Sequence, residues 1–285
     1  MKIFGQMFYL ALRHALLLII FSLPVSASDE SKSYSFGVVP QQSASQLVAS
    51  WSPLLTYLSE QTGVKLQFKT AKDIPDFESR LVAGEYDFAY MNPYHFTFFN
   101  RKPGYGALVL CKNQPIQGVL LVHKDISIES LRDLEGQTLA FPAPAAFAAS
   151  VLPRAELNLQ HIKFITKYVS SHVSTYLAVA KGLFSAGGVV KRTFNNTSPE
   201  VKEQLKILWT SVLFTTHAIA VHPSVDDEAH QRVQRILVEM IKSSVGKDLL
   251  TSLKIKNGFR KATDADWNDV RALNIDLLNQ LIKES

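Results

Sequence analysis

Residues 86–96 read YDFAYMNPYHF, and this stretch joins what looks like a buried strand to a polar and aromatic cluster. A short apolar run is typical of a strand that is covered on both faces. The cluster of Tyr90, Asn92, Tyr94 and His95 comes where that strand leaves the core. These side chains either line a pocket or pack an ordinary loop, and the neighbouring elements decide between the two interpretations.

The residues before this stretch alternate between strand and helix periodicity. Apolar residues recur at spacings of three and four in one segment and alternate with lysine and glutamine in the next. With the quoted stretch as the next strand, this order begins a doubly wound α/β layer. The predicted elements are a strand at 34–39, a helix from Ser43 or Ser45 to Gly63, a strand at 64–69 and a helix at 75–83.

Ligands of such sheets bind beyond the carboxyl ends of the parallel strands. The first strand is followed by Gln41, Gln42 and Ser43, and the quoted stretch ends in the aromatic cluster. We therefore predict that both groups lie on one rim and contact a ligand. For the first group a helix-capping loop is an equally good interpretation.

A second unit of the same kind follows, and the chain then returns to the first. We predict an α/β fold with two doubly wound lobes joined by two crossing segments. The lobes are assigned as 28–118 for the first, 119–216 for the second, and 217–285 for the return to the first. Predicted strands are 119–122, 138–141, 162–169, 187–190, 207–210 and 217–221, and predicted helices are 145–157, 174–181, 199–205, 227–244 and 264–283.

The N-terminal residues have the pattern of a secretory signal peptide. Lys2 and Arg13 precede a short apolar run, and small residues lead to Ala27, so we predict a signal peptide at 1–27 and a periplasmic location. The alternative is an uncleaved anchor, for which the apolar run is short. Removal of this segment lowers the formal net charge from +5 to +3. Because the basic residues are scattered, nucleic acid is not an expected partner.

Four segments occur in an order that resembles the phosphonate/phosphite-type (PhnD-like) periplasmic solute-binding proteins of the type II periplasmic binding protein superfamily. They read FGVVPQQSASQLVASWSPLLTYLSEQTG, LVAGEYDFAYMNPYHF, SIESLRDLEGQTLAFPAP and STYLAVAKGLFSAGG. The resemblance implies two α/β lobes that close on a small molecule and deliver it to an ABC permease. A ligand-sensing receptor that acts on a membrane kinase or cyclase fits the same features, and both possibilities stay open.

The resemblance also places candidate residues on the second lobe. Its members have hydroxyl residues where this chain has Ala145, Ala146, Phe147, Ala148 and then Ala149, with Ser150 as the first hydroxyl. Backbone amides at that helix start are expected to hold an anion. His172 and Tyr176 at the next helix, and Gly187 and Gly188 as a close-approach turn, complete the predicted second-lobe contacts.

The chain shows no nucleophile elbow and no phosphate-cradling glycine loop, so we expect neither catalysis nor a cofactor. The eight histidines lack paired spacing, which argues against a metal site, and Cys111 lies in an apolar run as expected of a buried thiol. We expect a monomer. Because Lys163, Lys167 and Arg192 have no sequence reason to point inward, inorganic phosphate and simple alkylphosphonates are expected to bind weakly. A small organic molecule with one anionic or polar end is the predicted ligand.

Overall fold

The computed structural model describes residues 32–279, which form an α/β structure built on two separate sheets. The α/β class predicted from the sequence is confirmed. The predicted signal peptide at 1–27 lies outside the described residues, as does the end of the predicted C-terminal helix. Within the described part of the chain, every helix is too short or too polar to cross a membrane.

The first sheet has six strands in the order β11-β4-β10-β3-β1-β2. One end of it is the predicted parallel layer, in which β1 pairs with both β2 and β3. The return strand β10 runs antiparallel between β3 and β4. The strands are β1 Ser33–Val38, β2 Lys65–Lys69, β3 Phe88–Met91, β4 Gly106–Cys111, β10 Ala218–Val221 and β11 Phe259–Lys261.

The helices of the first sheet bury apolar stripes against it. The longest is capped by Ser43, whose Oγ accepts from the backbone N–H of Gln46, and it ends at Gly63 in the left-handed region at φ 69°. The quoted stretch turns from strand to helix at Asn92, because its side chain caps the next helix by accepting from the N–H of His95 at 2.8 Å. The helices are α1 Ala44–Thr62, α2 Ile74–Val82, α3 Pro93–Phe99, α8 Asp227–Glu239, α9 Ser244–Ser252 and α10 Asn268–Arg271.

The second sheet has five strands in the order β7-β6-β8-β5-β9. β6 pairs in parallel with β7 and β8, so the carboxyl ends of these three strands share one edge. The strands are β5 Gly118–His123, β6 Thr138–Phe141, β7 Ile165–Tyr168, β8 Ala186–Val190 and β9 Leu205–Thr210, and the helices are α4 Leu152–Leu159, α5 His172–Ala180, α6 Lys191–Asn195 and α7 Pro199–Lys202.

A π-helical turn, Phe147–Val151, precedes α4 and replaces the regular start that was predicted. Pro153 has no N–H, so it cannot make the α-helical bond to the carbonyl of Ala149. That carbonyl instead lies against Gly188 of β8. The turn is therefore seated directly on the sheet.

Two segments connect the sheets, and they are bonded to each other. Ile116 and Phe214 exchange both of their backbone hydrogen bonds, at 2.9 and 3.0 Å. Ser211 adds a side-chain bond to the N–H of Gly118 at 3.0 Å. The crossing segments thus form a short ribbon that links the two halves of the fold.

The predicted C-terminal helices are wrong in extent. The first ends at Glu239, because Ser243 caps a separate helix, α9. The second is broken into a 3₁₀ turn, Asp264–Trp267, and α10. Asp266 fixes this break, since its carboxylate accepts from the N–H of Thr263 and binds the guanidinium of Arg260. Strands β4 and β11 were not predicted.

Candidate functional site

The facing edges of the two sheets carry the candidate site. Gln41 follows β1 and Asn92 follows β3, so both leave parallel strands at the same edge, as predicted. Asn92 reaches across to the second half, where its Nδ2 donates to the carbonyl of Ala145 at 3.2 Å. The strand exits of the first half therefore contact the helix start of the second.

Tyr90 stands in the centre of an aromatic stack on the first-sheet side. Its ring lies parallel to that of His217, at 4.9 Å between centroids and 13°, and 4.6 Å from the ring of Trp51. Its hydroxyl receives a hydrogen bond from Nη2 of Arg192 at 3.4 Å. Burial raises the pKa of the Tyr90 hydroxyl, so it stays protonated and is available to a ligand as a donor.

His217 is held as a neutral ring. Its Nε2 lies 2.9 Å from Nε2 of Gln41, an amide nitrogen that can only donate, so this ring nitrogen is the acceptor. Burial, followed by the positive charge of Arg192, lowers the pKa of His217 well below its usual value. Gln41 and His217 therefore position each other at the rim.

The opposite wall is the π-helical turn before α4. The N–H groups of Phe147, Ala148 and Ala149 have no acceptor within residues 32–279, as expected for the first turn of a helix. Ser150 follows, fully buried, and its Oγ has no hydrogen-bond partner in the same part of the chain. Three N–H groups and one hydroxyl on consecutive residues thus have no acceptor within residues 32–279.

His172, at the start of α5, completes this wall. Its side chain is 1% exposed, and among the described residues neither Nδ1 nor Nε2 has a hydrogen-bond partner. Burial lowers the pKa of His172 to about 4. Because buried polar atoms are ordinarily hydrogen-bonded, two unpaired ring nitrogens indicate a place where another molecule binds.

These groups surround a void of about 10 Å³, which we call the inner void. Two larger cavities share lining residues with it. The outer cleft, of about 590 Å³, has Trp51, Tyr90, Tyr176 and Arg192 in its walls. The hinge-side groove, of about 620 Å³, lies along the crossing segments. The inner void is lined by Val39, Gln41, Ile74, Asn92, Ile116, Ala146, Phe147, Ala148, Ala149, His172 and Val190.

The three cavities share walls and one sign of charge. Val39 and Gln41 line both the inner void and the outer cleft, and Arg192 lines both the outer cleft and the groove. Within residues 32–279, no Asp or Glu lines any of the three. The cationic residues that line them are Lys191, Arg192, Lys254 and Lys256. The arrangement suits an anion.

Most predicted contact residues lie together around these cavities. The structure brings them together because strand ends and helix starts converge at one edge. Ala145 lines none of the three cavities, but its carbonyl accepts the hydrogen bond from Asn92. The grouped residues are Gln41, Gln42, Tyr90, Asn92, Ala145, Ala146, Phe147, Ala148, His172 and Tyr176.

Three of the predicted first-lobe contacts lie elsewhere. Ser43 is the exposed N-cap of α1. Tyr94 and His95 follow the cap Asn92, so they turn with α3 into the interior instead of along the strand. The Tyr94 hydroxyl accepts from the N–H of Leu278, and burial raises its pKa to about 12.

His95 is likewise an interior residue and does not line the cleft. Its Nε2 lies 2.8 Å from Oε1 of Glu78, and both side chains are buried. The stretch that first indicated a pocket therefore contributes two of its four candidates to the site and two to the core.

The glycine prediction is also corrected. A Cβ on Gly188 would lie 1.9 Å from the carbonyl oxygen of Ala149, and one on Gly187 would lie 2.7 Å from the side chain of Val179. Both glycines admit packed helices and not a ligand. They position the amide turn and α5 from behind.

Two residues beside Tyr90 were not among the predicted contacts. Arg192 lines the outer cleft and the groove, and His217 stacks on Tyr90. Arg192 was not expected to point inward, yet it follows β8, whose carboxyl end lies beside that of β6. His217 precedes β10, which is antiparallel to β3, so its amino end lies at the edge where parallel strands exit. Both residues lie at the edge where the parallel strands end, which is where ligands of such sheets bind, but their position there follows only once the strand directions are known. Lys163 and Lys167 are exposed, as expected.

Comparison with known proteins adds three findings. The sequence matches the family described as "ABC transporter, phosphonate, periplasmic substrate-binding protein" over residues 36–267. A curated relative, the "Phosphate-import protein PhnD" of Mycolicibacterium smegmatis, is 22% identical over 277 residues, which cover 88% of this chain and 84% of that protein.

Two solved structures are similar in fold. One is a binding protein component of an ABC phosphonate transporter from Pseudomonas aeruginosa, with a TM-score of 0.79, 19% identity, and 86% of each chain covered. The other is PhnD1 from Prochlorococcus marinus in complex with methylphosphonate, with a TM-score of 0.78, 16% identity, and 86% of this chain and 99% of that chain covered. The predicted two-lobed fold of type II periplasmic binding proteins is confirmed.

Proposed function

Because the chain belongs to the family of phosphonate periplasmic substrate-binding proteins of ABC transporters, we propose that its inner void binds the oxyanion head of a phosphonate-type or phosphate-type solute. Proteins of this family bind a solute in the periplasm and deliver it to the permease of an ABC transporter. The chain is such a solute-binding protein, and its partners are a small-molecule ligand and a membrane permease. The sensory alternative is not favoured, since the family is one of transport.

One observation carries the proposal for the anion. The inner void is lined by Phe147, Ala148 and Ala149, whose N–H groups are unpaired, and by His172, whose two ring nitrogens are unpaired. The unpaired hydroxyl of Ser150 comes next in the same turn. Leaving such buried groups unpaired costs roughly 1–3 kcal/mol each. An oxyanion with several acceptor oxygens would satisfy them together, and the dipole at the helix start favours its charge.

The nature of the ligand follows from the donors present. The expectation of weak phosphate and alkylphosphonate binding rested on a helix start without hydroxyl side chains and on basic residues with no sequence reason to point inward. His172, a predicted contact, and Arg192, which was not expected to point inward, both bring side-chain donors to the cavity walls. Ser150 adds an unpaired hydroxyl in the turn itself. We therefore propose phosphonate-type oxyanions as ligands of this chain, and the relative from Prochlorococcus marinus, solved with methylphosphonate, supports that class.

Three further points belong to this proposal. We propose that residues 1–27 act as an export signal, since their basic start, apolar run and small residues fit one. We propose that the protein is not an enzyme, because the cleft lacks a nucleophile paired with a base. We propose that it acts as a monomer, since one chain supplies both walls of the cleft.

The test is a calorimetric titration of methylphosphonate and inorganic phosphate into the protein and its Ser150→Ala variant. We expect binding of at least one oxyanion, weakened tenfold or more in Ser150→Ala, because a hydrogen bond to a charged group contributes about 1.5–3 kcal/mol. The midpoint of thermal unfolding without ligand should not fall, since the hydroxyl has no partner to lose.

His161→Asn is the matched control, since this exposed residue at φ 59° lies on the second lobe and lines none of the three cavities. Its affinity should equal that of the original protein. Equal affinity in Ser150→Ala, or no heat with either oxyanion, would contradict the proposed site.

A further inference from the structure

We propose that the hinge-side groove is a second anion-binding subsite of the same cleft, so that the preferred ligand is an oxyanion whose far end is also negatively charged. This rests on the proposed function, because the first anion is the one held at the amide turn. The second subsite determines the charge at the other end of the ligand.

The groove collects cationic side chains from both lobes. Lys191 and Arg192 come from α6 on the second sheet, and Lys254 and Lys256 come from the loop between α9 and β11 on the first. In the described part of the chain none of the four forms an ion pair with Asp or Glu. Converging like charges repel one another, so an anion between them would stabilise the closed arrangement.

The protein holds two of these lysines in place by neutral groups only. Nζ of Lys191 donates to Oε1 of Gln117 at 3.0 Å, and Gln117 belongs to a crossing segment. Gln114 of the same segment donates to the carbonyl of Lys254 at 2.9 Å, which fixes a residue in the left-handed region at φ 59°. Amide partners orient these residues but leave their positive charges uncompensated.

The groove adjoins the first anion site. Ile116 and Val190 line both the inner void and the groove, so the two spaces are adjacent. Arg192 stands between the groove and the outer cleft. A ligand with its head on the amide turn and a chain of a few carbons therefore extends toward the lysines.

The same lining disfavours a ligand with a cationic end. A buried or half-buried ammonium needs a carboxylate or several acceptors, and within residues 32–279 the three cavities have no carboxylate in their walls. An aminoalkylphosphonate would place its ammonium among four cationic side chains. The chemical class that fits is a phosphonate or phosphate ester that carries a carboxylate or a second phosphoryl group.

A series of three ligands of equal length tests this. 3-Phosphonopropionate, propylphosphonate and 3-aminopropylphosphonate share a head and differ in the charge of the far end. Calorimetric titration at one ionic strength should give the tightest binding for 3-phosphonopropionate, at least tenfold tighter than propylphosphonate, with 3-aminopropylphosphonate the weakest.

The variant Lys254→Gln/Lys256→Gln assigns the preference to the groove. It should bring 3-phosphonopropionate to within about threefold of propylphosphonate, through a larger loss of affinity for 3-phosphonopropionate than for propylphosphonate. The matched control Lys242→Gln/Lys247→Gln removes the same charge from lysines that line none of the three cavities, and it should keep the preference.

The outcomes separate the two proposals. If none of the three phosphonates binds, or if Ser150→Ala leaves their affinities unchanged, the proposed function fails and this inference fails with it. If propylphosphonate binds through Ser150 but the charge of the far end makes no difference, only the second subsite is refuted. Equal weakening of all three ligands in the groove variant would also refute it.

Discussion

His172 illustrates how one residue records a missing partner. A neutral, buried imidazole normally donates from one nitrogen and accepts at the other, and here both are unpaired among the described residues. The ring lies in the wall of the inner void, on the side opposite Gln41 and Asn92. The unpaired ring nitrogens destabilise the closed protein when no ligand is bound. A bound oxyanion would remove that penalty by accepting a hydrogen bond.

This burial predicts a dependence of stability on pH. Burial lowers the pKa of His172 from 6.5 to about 4, so the unfolded chain binds the proton more tightly than the folded one. The contribution is complete above pH 6.5 and is lost as the pH falls toward 4. Between pH 7 and pH 4.5 it amounts to roughly 2–3 kcal/mol of the free energy of unfolding.

Urea unfolding of the original protein and of His172→Asn at both pH values measures this. If the free protein is closed as described, the loss of unfolding free energy on acidification should be smaller in His172→Asn by about 2 kcal/mol. If it is open, with His172 hydrated, the two losses should be equal. His161→Asn should behave like the original protein. An identical loss in all three proteins would show that His172 is hydrated, and so not closed off, in solution.

At the residue scale, the sequence predicted which residues lie at strand ends and helix starts better than it predicted where their side chains point. Gln41, Asn92 and His172 line the inner void, and they could be proposed from the sequence because strand exits and helix starts can be read from the chain. Tyr94 and His95 were misplaced because the cap at Asn92 starts a helix, and the next side chains then rotate by about 100° per residue into the core. Arg192 was missed because its inward direction depends on the order of strands in the sheet.

At the scale of elements, the amide turn owes its position to glycines on the strands beneath it. A Cβ on Gly118 would lie 2.0 Å from the carbonyl oxygen of Ala148, and one on Gly188 would lie 1.9 Å from that of Ala149. Both contacts are with backbone, which cannot rotate out of the way. The first turn before α4 therefore rests on bare backbone of β5 and β8.

Gly188→Ala should lift this turn away from the sheet. We expect a loss of about 1–3 kcal/mol in the free energy of unfolding, as for other overpacked sites. The affinity for methylphosphonate should also fall, because the N–H groups of the turn move although no ligand contact is removed. Urea unfolding and calorimetry measure the two effects.

Gly106→Ala provides the control for that substitution. It is also a strand glycine, but its added Cβ would meet its nearest atom, in Val221, at 3.9 Å. Stability and affinity should stay close to those of the original protein. A Gly188→Ala variant with full affinity would show that the position of the turn does not depend on its contact with Gly188.

The elements that were not predicted from the sequence are those that depend on contacts with other parts of the fold. β11 is three residues long, and it forms because β4 offers it an edge. The predicted helix at 264–283 fails because Asp266 binds Arg260 and Thr263, a tertiary and a capping interaction. Long periodic segments such as α1 were found because burial alone determines them.

At the scale of the whole molecule, the described conformation is closed, and its inner void is too small for a phosphonate head. The inner void of about 10 Å³ has room for roughly one water molecule, and Asn92 bonds Ala145 across it. A phosphonate head cannot enter unless the lobes separate. The two crossing segments, which are bonded into one ribbon at Ile116 and Phe214, are where such a rotation would be absorbed.

The energetics of the unpaired donors predict which state the free protein adopts. Closing without a ligand buries three N–H groups, one hydroxyl and two imidazole nitrogens without partners, at a total cost on the order of several kcal/mol. Opening lets water satisfy them, whereas an oxyanion between the lobes satisfies them in a closed state whose void is larger than the described one. The ligand thus shifts the population toward closure by its better binding to that state.

Small-angle scattering with and without saturating methylphosphonate should therefore show a smaller radius of gyration in the presence of the ligand. The closed value should approach the roughly 18 Å expected of a compact chain of about 250 residues. Sodium chloride at the same ionic strength is the control, because screening of the lysines by salt could alone draw the lobes together. If methylphosphonate binds by calorimetry yet the radius is unchanged, the unpaired donors do not hold the free protein open. The cleft would then be a preformed site that admits its ligand by local movement.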